Sequence, residues 1–164
     1  MKILVAEYAS ALGLGGTVEL EGRAMLAALV KSFARSGHDV VYPTSGQRLD
    51  EGQLVLIRTE EDFESFLEGD ADAGLLIAPD GMQPHLLQIL ERSTVNLGAS
   101  PAAAALAADK LLCTKALARA GVPVAEIVEK PDPVEKGCQR YVVKPRTGCG
   151  SDGVRITSYA RAGP

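Results

Sequence analysis

Short apolar runs alternate with longer amphipathic stretches over residues 1–99 of the chain. The continuous apolar runs at 3–6, 40–42 and 75–78 are typical of strands buried on both faces of a parallel sheet. Residues 18–36 carry apolar side chains at helical spacing, and Gly37 follows, as glycine commonly does just after a helix end. This alternation predicts an α/β fold in which a parallel sheet lies between helices.

The same pattern continues towards residue 99. It predicts helices at 60–67 and 84–92 and a strand at 94–97, while 54–57 reads as an extended run of uncertain role. Pro43 is expected to stop the second strand. Ligands of such sheets bind at the carboxyl ends of the strands, which here are marked by Glu7-Tyr8, Pro79-Asp80-Gly81 and Gly98-Ala99-Ser100.

From residue 101 the pattern changes. An alanine-rich helical stretch leads into a helix at 109–120, and strands are predicted at 124–128, 141–144 and 153–157. Helices followed by neighbouring strands predict a small α+β lobe whose last two strands run antiparallel around a glycine-rich loop. We therefore predict a domain boundary near residue 99, which gives domains 1–99 and 100–164.

The most informative stretch is residues 142–154, with the sequence Val-Val-Lys-Pro-Arg-Thr-Gly-Cys-Gly-Ser-Asp-Gly-Val. Glycines permit positive φ and a close approach of backbone N–H groups to a ligand. Successive N–H groups form a concavity for anions, and a lysine at the strand end adds a positive charge. A loop of this kind is suited to holding a polyphosphate. The glycines alone would equally suit an ordinary β-hairpin turn.

This stretch matches the pattern Lys-Pro-x-x-Gly-x-Gly-Ser-x-Gly-Val and resembles the ATP-grasp superfamily. The run from Asp109-Lys110 to Gly121-Val-Pro-Val resembles the helix and strand that precede the loop in the same superfamily. The resemblance implies a pre-ATP-grasp (Rossmann-like) domain followed by an incomplete first ATP-grasp lobe. It also implies an ATP-dependent ligase that joins a carboxylate to an amine through an acyl phosphate and releases ADP and phosphate.

The resemblance also implies a set of nucleotide-binding residues. Lys144 and Lys110 are the two cations expected near the phosphates, although each could instead be an ordinary solvated lysine. Arg146 could contact phosphate or form a surface ion pair, and Cys149 could simply be a small residue tolerated in a turn. The full predicted set is Lys110, Lys144, Arg146, Thr147, Gly148, Cys149, Gly150 and Ser151. No catalytic residue is identified.

The N-terminal part resembles a narrower group. Glu7-Tyr8-Ala9, Glu21-Gly22-Arg23-Ala24-Met25 and Asn96-Leu97-Gly98 are similar to the tyramine–glutamate ligases of methanofuran biosynthesis. Glu7 and Glu21 are then candidates for binding a substrate amine, and Arg23 for binding a carboxylate. Acids such as Glu21 could instead be first-turn residues that favour a helix N-terminus.

Composition excludes several classes of function. The net charge of −4 argues against a duplex nucleic-acid binder, which needs a basic face. No apolar run approaches the ~20 residues that cross a bilayer. Cys113, Cys138 and Cys149 lack metal-site spacing, as do the two histidines. A reducing cytoplasm fits this use of cysteine. A Walker-type loop and a complete dinucleotide fingerprint are both absent.

Cofactors and partners follow from the resemblance. It implies ATP and Mg²⁺ as cofactors, an amino acid and an amine as substrates, and it allows a homodimer. The metal ligands are expected in a second lobe outside these residues, so we expect the chain to be an inactive fragment of a longer enzyme. The alternative is a non-catalytic nucleotide-binding or interaction module.

Overall fold

The computed structural model describes residues 1–128, 141–148 and 150–157 of the chain. The chain divides into two compact units, Met1–Ala105 and Leu106–Pro164. The first unit is built around a sheet with helices on both faces. Its elements are β1 (Lys2–Glu7), α1 (Tyr8–Leu12), α2 (Gly16–Arg35), β2 (Asp39–Thr44), β3 (Gln53–Leu56), α3 (Glu60–Leu67), β4 (Ala73–Ile77), α4 (Gln83–Leu90) and β5 (Val95–Asn96).

The five strands form one parallel sheet in the order β3-β2-β1-β4-β5. Strand β1 is central, and its register runs from Lys2 opposite Asp39 on one side to Glu7 opposite Ile77 on the other. This arrangement confirms the predicted α/β class. The chain places β2 and β3 on one side of β1 and then places β4 and β5 on the other side, so the direction of strand addition reverses between β1 and β4. Ligands of open α/β sheets usually bind at the carboxyl ends of the two strands that flank such a point.

Strand β1 shows why the sheet is covered on both faces. Leu4 and Ala6 belong to a core cluster on one face, while Ile3 and Val5 belong to a second cluster on the other face. The first cluster includes residues of α1, α3 and α4, and the second includes residues of α2. Each of the larger side chains, Ile3, Leu4 and Val5, contributes ~1.5–3 kcal/mol when it is removed from water. A continuous apolar run is therefore what a central parallel strand requires.

Pro43 does not end β2, contrary to the sequence prediction. It lies inside the strand, opposite Val55 of β3. The Thr44 carbonyl accepts a hydrogen bond from the Ile57 amide on the β3 side. In a strand, the backbone N–H and C=O groups of one residue point to one neighbouring strand, and those of the next residue point to the other. The nitrogen of Pro43 therefore points to the β1 side, where the pairing of β2 with β1 has already ended at Val41. A missing N–H at this position removes no sheet hydrogen bond.

Two short elements differ from the sequence prediction or were ambiguous in it. Helix α1 lies between the predicted first strand and the predicted helix at 18–36, where the sequence predicted no element, because its five residues are too few for a hydrophobic period to be detected. The uncertain run at 54–57 is the edge strand β3. Helix α3 begins where predicted because Thr59 and Asp62 form a capping box with each other's backbone N–H groups.

The second unit contains a helix and a two-stranded sheet. Helix α5 (Pro101–Ala108) spans the division between the units, and α6 (Lys110–Arg119) follows it. Strands β6 (Tyr141–Val143) and β7 (Arg155–Thr157) pair antiparallel, with Val142 opposite Ile156, which confirms the predicted arrangement around the glycine-rich loop.

The strand predicted at 124–128 is wrong, because these residues adopt no regular secondary structure. Their β-branched composition favours a strand only where a neighbouring strand completes the ladder, and the described residues provide no such neighbour for this segment. No helix in the described parts of the chain is long and apolar enough to span a bilayer.

Tyr8 joins the end of β1 to α3 through its ring and its hydroxyl group. The ring meets Phe63 edge to face at a centroid distance of 5.3 Å, and the hydroxyl donates a 2.6 Å hydrogen bond to Glu60 Oε1. Burial, followed by the hydrogen bond and the charge of Glu60, raises the pKa of Tyr8 to about 12. The protonated phenol is therefore the form that the fold stabilises.

We predict a pH-dependent difference between the wild type and Tyr8→Phe. The contribution of the protonated phenol is fully present below the unfolded-state pKa of ~10 and is lost as pH rises through the folded-state pKa. The difference in free energy of unfolding should therefore shrink between pH 10 and 12, by at most ~2–3 kcal/mol because Glu60 is exposed to solvent. Urea denaturation of both proteins from pH 8 to 11.5 measures this difference, and a constant value contradicts the prediction.

Two glycines between β6 and β7 provide a matched pair. Gly150 and Gly153 have nearly the same left-handed backbone, with φ of +66° and +67°. A Cβ added at Gly153 would lie 2.8 Å from Pro145 Cγ, whereas a Cβ at Gly150 meets no atom of the described residues within 4 Å.

We expect Gly153→Ala to destabilise the two-stranded sheet more than Gly150→Ala. Both variants carry the ~1–2 kcal/mol cost of a left-handed alanine, but only Gly153→Ala also forces the Pro145 ring to move. Amide hydrogen exchange of β6 and β7 in the two variants measures the difference. Equal loss of protection would show that the contact with Pro145 has no energetic importance.

Candidate functional site

The loop of residues 144–154 between β6 and β7, called the flap below, contains the predicted nucleotide-binding stretch. The pair Val143 and Arg155 closes its base, and the Val154 amide donates a 3.2 Å hydrogen bond to the Ser151 carbonyl. Ser151 has a φ of +62°, a left-handed conformation that is costly for a residue with a side chain. Strained residues of this kind cluster at ligand-binding loops, which agrees with a binding role for the flap.

Helix α6 brings a cation to the flap. Lys110 is the first residue of the helix, and its ammonium group donates a hydrogen bond to the carbonyl oxygen of Gly148. The backbone amide of Lys110 donates a second hydrogen bond, of 2.9 Å, to the carbonyl oxygen of Arg146. The structure thus brings together Lys110, Arg146 and Gly148, three of the predicted residues.

Asp109 connects the same helix to the flap through its side chain. Its Oδ1 atom caps α6 by accepting from the amides of Leu111 and Leu112, at 3.1 and 3.0 Å. Its Oδ2 atom accepts a 2.6 Å hydrogen bond from Nε of Arg146. The hydrogen bond from the Leu112 amide, together with the Arg146 guanidinium, holds the pKa of the Asp109 carboxyl below its usual value.

Asp109 is not among the residues predicted from the sequence to bind nucleotide. It is part of the motif that precedes the flap. An aspartate immediately before a helical pattern is a helix N-cap signal. This signal could have identified Asp109 as the residue that caps α6. The ion pair with Arg146 could not have been found from spacing, because the two residues are 37 positions apart.

The other predicted residues of the flap lie on its exposed surface. Lys144 directly follows β6, and within the described residues its ammonium group has no ion-pair partner. Thr147, Gly150 and Ser151 are also exposed. Cys149 lies outside the described residues, as does Cys138.

The described flap residues fit phosphate groups. At Gly148 and Gly150 an added Cβ would meet no atom of the described residues within 4 Å, so the space over the backbone is open. Lys110, Lys144 and Arg146 supply positive charge from the helix, the strand end and the loop itself. Backbone N–H groups and cations around an open glycine turn form an anion site.

In the portions of the chain that the structure describes, no group of three or more His, Cys, Asp or Glu residues is placed to hold a metal ion.

Glu7, a predicted substrate-binding residue, lies at the carboxyl end of β1 and is 4% exposed. Its Oε1 and Oε2 atoms accept hydrogen bonds from the amides of Ala9 and Ser10, at 3.2 and 2.7 Å, and so cap α1. The backbone of Gly22 packs against the same carboxylate, since a Cβ at Gly22 would lie 2.2 Å from Oε2. Binding of a substrate amine by Glu7 stays a prediction.

Glu21 and Arg23 flank Gly22 on α2. Glu21 is exposed. Arg23 is half-buried and donates a 3.3 Å hydrogen bond from Nη2 to the carbonyl oxygen of Arg48. It lines an open pocket of about 480 Å³ together with Lys31 and Arg48, where Asp50 and Glu51 supply the opposite charge. The roles predicted for Glu21 and Arg23 also stay predictions.

The comparisons with known proteins agree with the geometry of the flap. An ATP-grasp domain family matches residues 107–163. A protein from Archaeoglobus fulgidus assigned to the ATP-grasp superfamily has a similar structure, with a TM-score of 0.74 and 26% identity over 97% of this chain and 53% of its own. N5-carboxyaminoimidazole ribonucleotide synthetase from Thermotoga maritima is similar at a TM-score of 0.65 and 19% identity, over 97% of this chain and 41% of its own.

No curated protein matches the chain. The chain spans about half the length of the A. fulgidus protein, and the fold corresponds to the N-terminal part of an ATP-grasp protein. The second unit is therefore similar in sequence to an ATP-grasp domain family, and the fold along the chain is similar to the folds of the two solved structures.

Proposed function

We propose that this chain forms the N-terminal half of an ATP-dependent ligase that joins a carboxylate to an amine. The observation that carries the proposal is the contact between Lys110 and the flap, because it places a cation against the glycine backbone predicted to cover phosphates. The T. maritima structure, a synthetase of the same fold, is consistent with ligase chemistry.

The proposed reaction has two steps. A carboxylate oxygen of the first substrate bonds to the γ-phosphorus of ATP, the bond from that phosphorus to the bridging oxygen breaks, and ADP leaves. The nitrogen of the amine then bonds to the carbonyl carbon of the acyl phosphate, inorganic phosphate leaves, and the nitrogen gives up a proton. Lys110, Lys144 and Arg146 offset the phosphate charge, and the flap excludes water from the acyl phosphate.

The proposed substrates are an amino acid, such as glutamate, and a small amine such as tyramine. The stretches around Glu7, Glu21 and Asn96 that resemble the tyramine–glutamate ligases support this narrower assignment, and with it a place in methanofuran synthesis. Asn96 organises its loop by donating to the Ala99 carbonyl at 2.8 Å and accepting from the Gly98 amide at 2.8 Å. These contacts shape the strand end where a substrate of an open α/β sheet binds.

Magnesium would be held by carboxylate and amide oxygens of a second lobe, together with phosphate oxygens. Bound there, it would offset further negative charge on the phosphates. The 164 residues alone are therefore proposed to bind nucleotide weakly and not to turn over. We propose a cytoplasmic location on the basis of the cysteine pattern.

We predict that Lys144→Ala raises the Kd of the chain for MgATP by about tenfold, because a charge-assisted hydrogen bond to phosphate is lost. Calorimetric titration with MgATP measures this change. Lys31→Ala, an exposed lysine of α2 in the first unit, is the matched control and should leave the Kd unchanged.

Turnover is measured on the whole protein that contains these residues, as ADP release with panels of amines and amino acids. ADP release at subsaturating MgATP that is unchanged by Lys144→Ala contradicts the ligase proposal. Tight ATP binding by the chain alone that does not depend on Mg²⁺ supports the alternative of a non-catalytic nucleotide-binding module.

A further inference from the structure

The carboxylate of Asp109 has a separate task for each of its oxygens. Oδ1 accepts both of the α6 amides, and Oδ2 accepts only the Arg146 Nε–H among the described residues. The Asp109 side chain is 17% exposed and that of Arg146 is 57% exposed. The helix cap already fixes the side chain of Asp109. Most of the conformational freedom that is lost when this ion pair forms is therefore lost by the side chain of Arg146.

The backbone amide of Lys110 reports the same connection. The first four amides of an α-helix have no acceptor within their own helix. Those of Leu111 and Leu112 are satisfied by Asp109, whereas that of Lys110 donates to the Arg146 carbonyl in the flap. The Lys110 amide is therefore protected only as long as the flap stays attached to α6.

We propose that Asp109 is a positioning residue for the flap. Its carboxylate, together with the amide and ammonium groups of Lys110, holds residues 146–148 against the N-terminus of α6 before nucleotide binds. We call this set, formed by Asp109, Lys110, Arg146 and Gly148, the latch. The proposal rests on the proposed function, since the flap that the latch orders is the one assigned to nucleotide phosphates.

The latch has a consequence for binding. An ordered flap loses less conformational entropy when a ligand arrives, so preorganisation strengthens binding without a new contact. A phosphate group also offers the Lys110 ammonium a charged acceptor, which is a stronger partner than the neutral Gly148 carbonyl. The latch thus orders the flap while leaving its cation able to move to the ligand.

Hydrogen exchange of single amides in the nucleotide-free chain tests the latch. Arg146→Met keeps the length of the side chain but removes its donor to Asp109. We expect the Lys110 amide to exchange about two- to fivefold faster, the range of an exposed ion pair, while the Leu112 and Cys113 amides of the first turn do not change. Arg155→Met, an exposed arginine of β7, is the matched control and should leave all three unchanged.

A second pair of variants tests the role of Asp109 itself. Asp109→Asn keeps an oxygen for the helix cap but turns an N–H group towards Arg146, so it should also accelerate the Lys110 amide. Adding Arg146→Gln places the side-chain oxygen Oε1 at the same number of bonds from Cα as Nε of the arginine. This oxygen can accept a hydrogen bond from the side-chain amide of the asparagine. The double variant should return the exchange rate to near that of the wild type. A residue that only capped α6 would show no such rescue.

Titration with MgATP separates failure of the latch from failure of the proposed function. We expect Asp109→Asn, which leaves the predicted phosphate-binding cations in place, to raise the Kd about two- to fivefold. An exchange rate of the Lys110 amide that is unchanged in Arg146→Met overturns the latch, whatever the measured Kd for MgATP. Absence of MgATP binding by the wild type, with the exchange effects present, overturns the proposed function and leaves the structural part of the latch intact.

Discussion

The hydrogen bond from the Lys110 ammonium to the Gly148 carbonyl joins two stretches that are 38 residues apart in sequence. The candidate site depends on this bond, because neither stretch is a site without the other. A lysine at a helix start is usually solvated, and a glycine loop between two strands is usually a turn. Once the N-terminus of the helix and the β-hairpin are held together, the cation lies against the glycine backbone, and the proposed anion site rests on this proximity.

Much of the fold could be predicted from the sequence because hydrophobic periodicity reports burial directly. The central strand β1 is covered on both faces and reads as a continuous apolar run, and α2 and α3 show helical spacing. Hydrophobic periodicity does not identify an element that is very short, or one whose conformation depends on a neighbouring strand. Helix α1 has too few residues for a period, and the segment 124–128 has the composition of a strand but no neighbour among the described residues. Pro43 was misjudged because its effect depends on which edge its nitrogen faces.

The candidate site was predictable to a lesser degree. The resemblance to the ATP-grasp superfamily named Lys110, Arg146 and Gly148, and the structure brings these residues into contact. It did not identify Asp109, because its ion pair is a long-range contact that no local spacing encodes. The resemblance to the tyramine–glutamate ligases also made Glu7 a candidate binding residue, and its place at the carboxyl end of a central strand is where ligands of such sheets bind. Sequence cannot tell whether such an acid faces a ligand or the start of the next helix.

Glu7 and Asp109 show two ways in which a carboxylate can distribute its hydrogen bonds at the start of a helix. Both carboxylates cap a helix. Glu7 uses one oxygen for each of two amides of α1, and the backbone of Gly22 packs against the carboxylate, so both oxygens are engaged at the start of α1. Asp109 directs both helix amides to a single oxygen and keeps the other for Arg146. Two acids at a helix start therefore differ in their contacts because their hydrogen bonds are distributed differently between the two carboxylate oxygens. Because the cap of α6 occupies only one oxygen of Asp109, the other oxygen can bind a side chain of a second element.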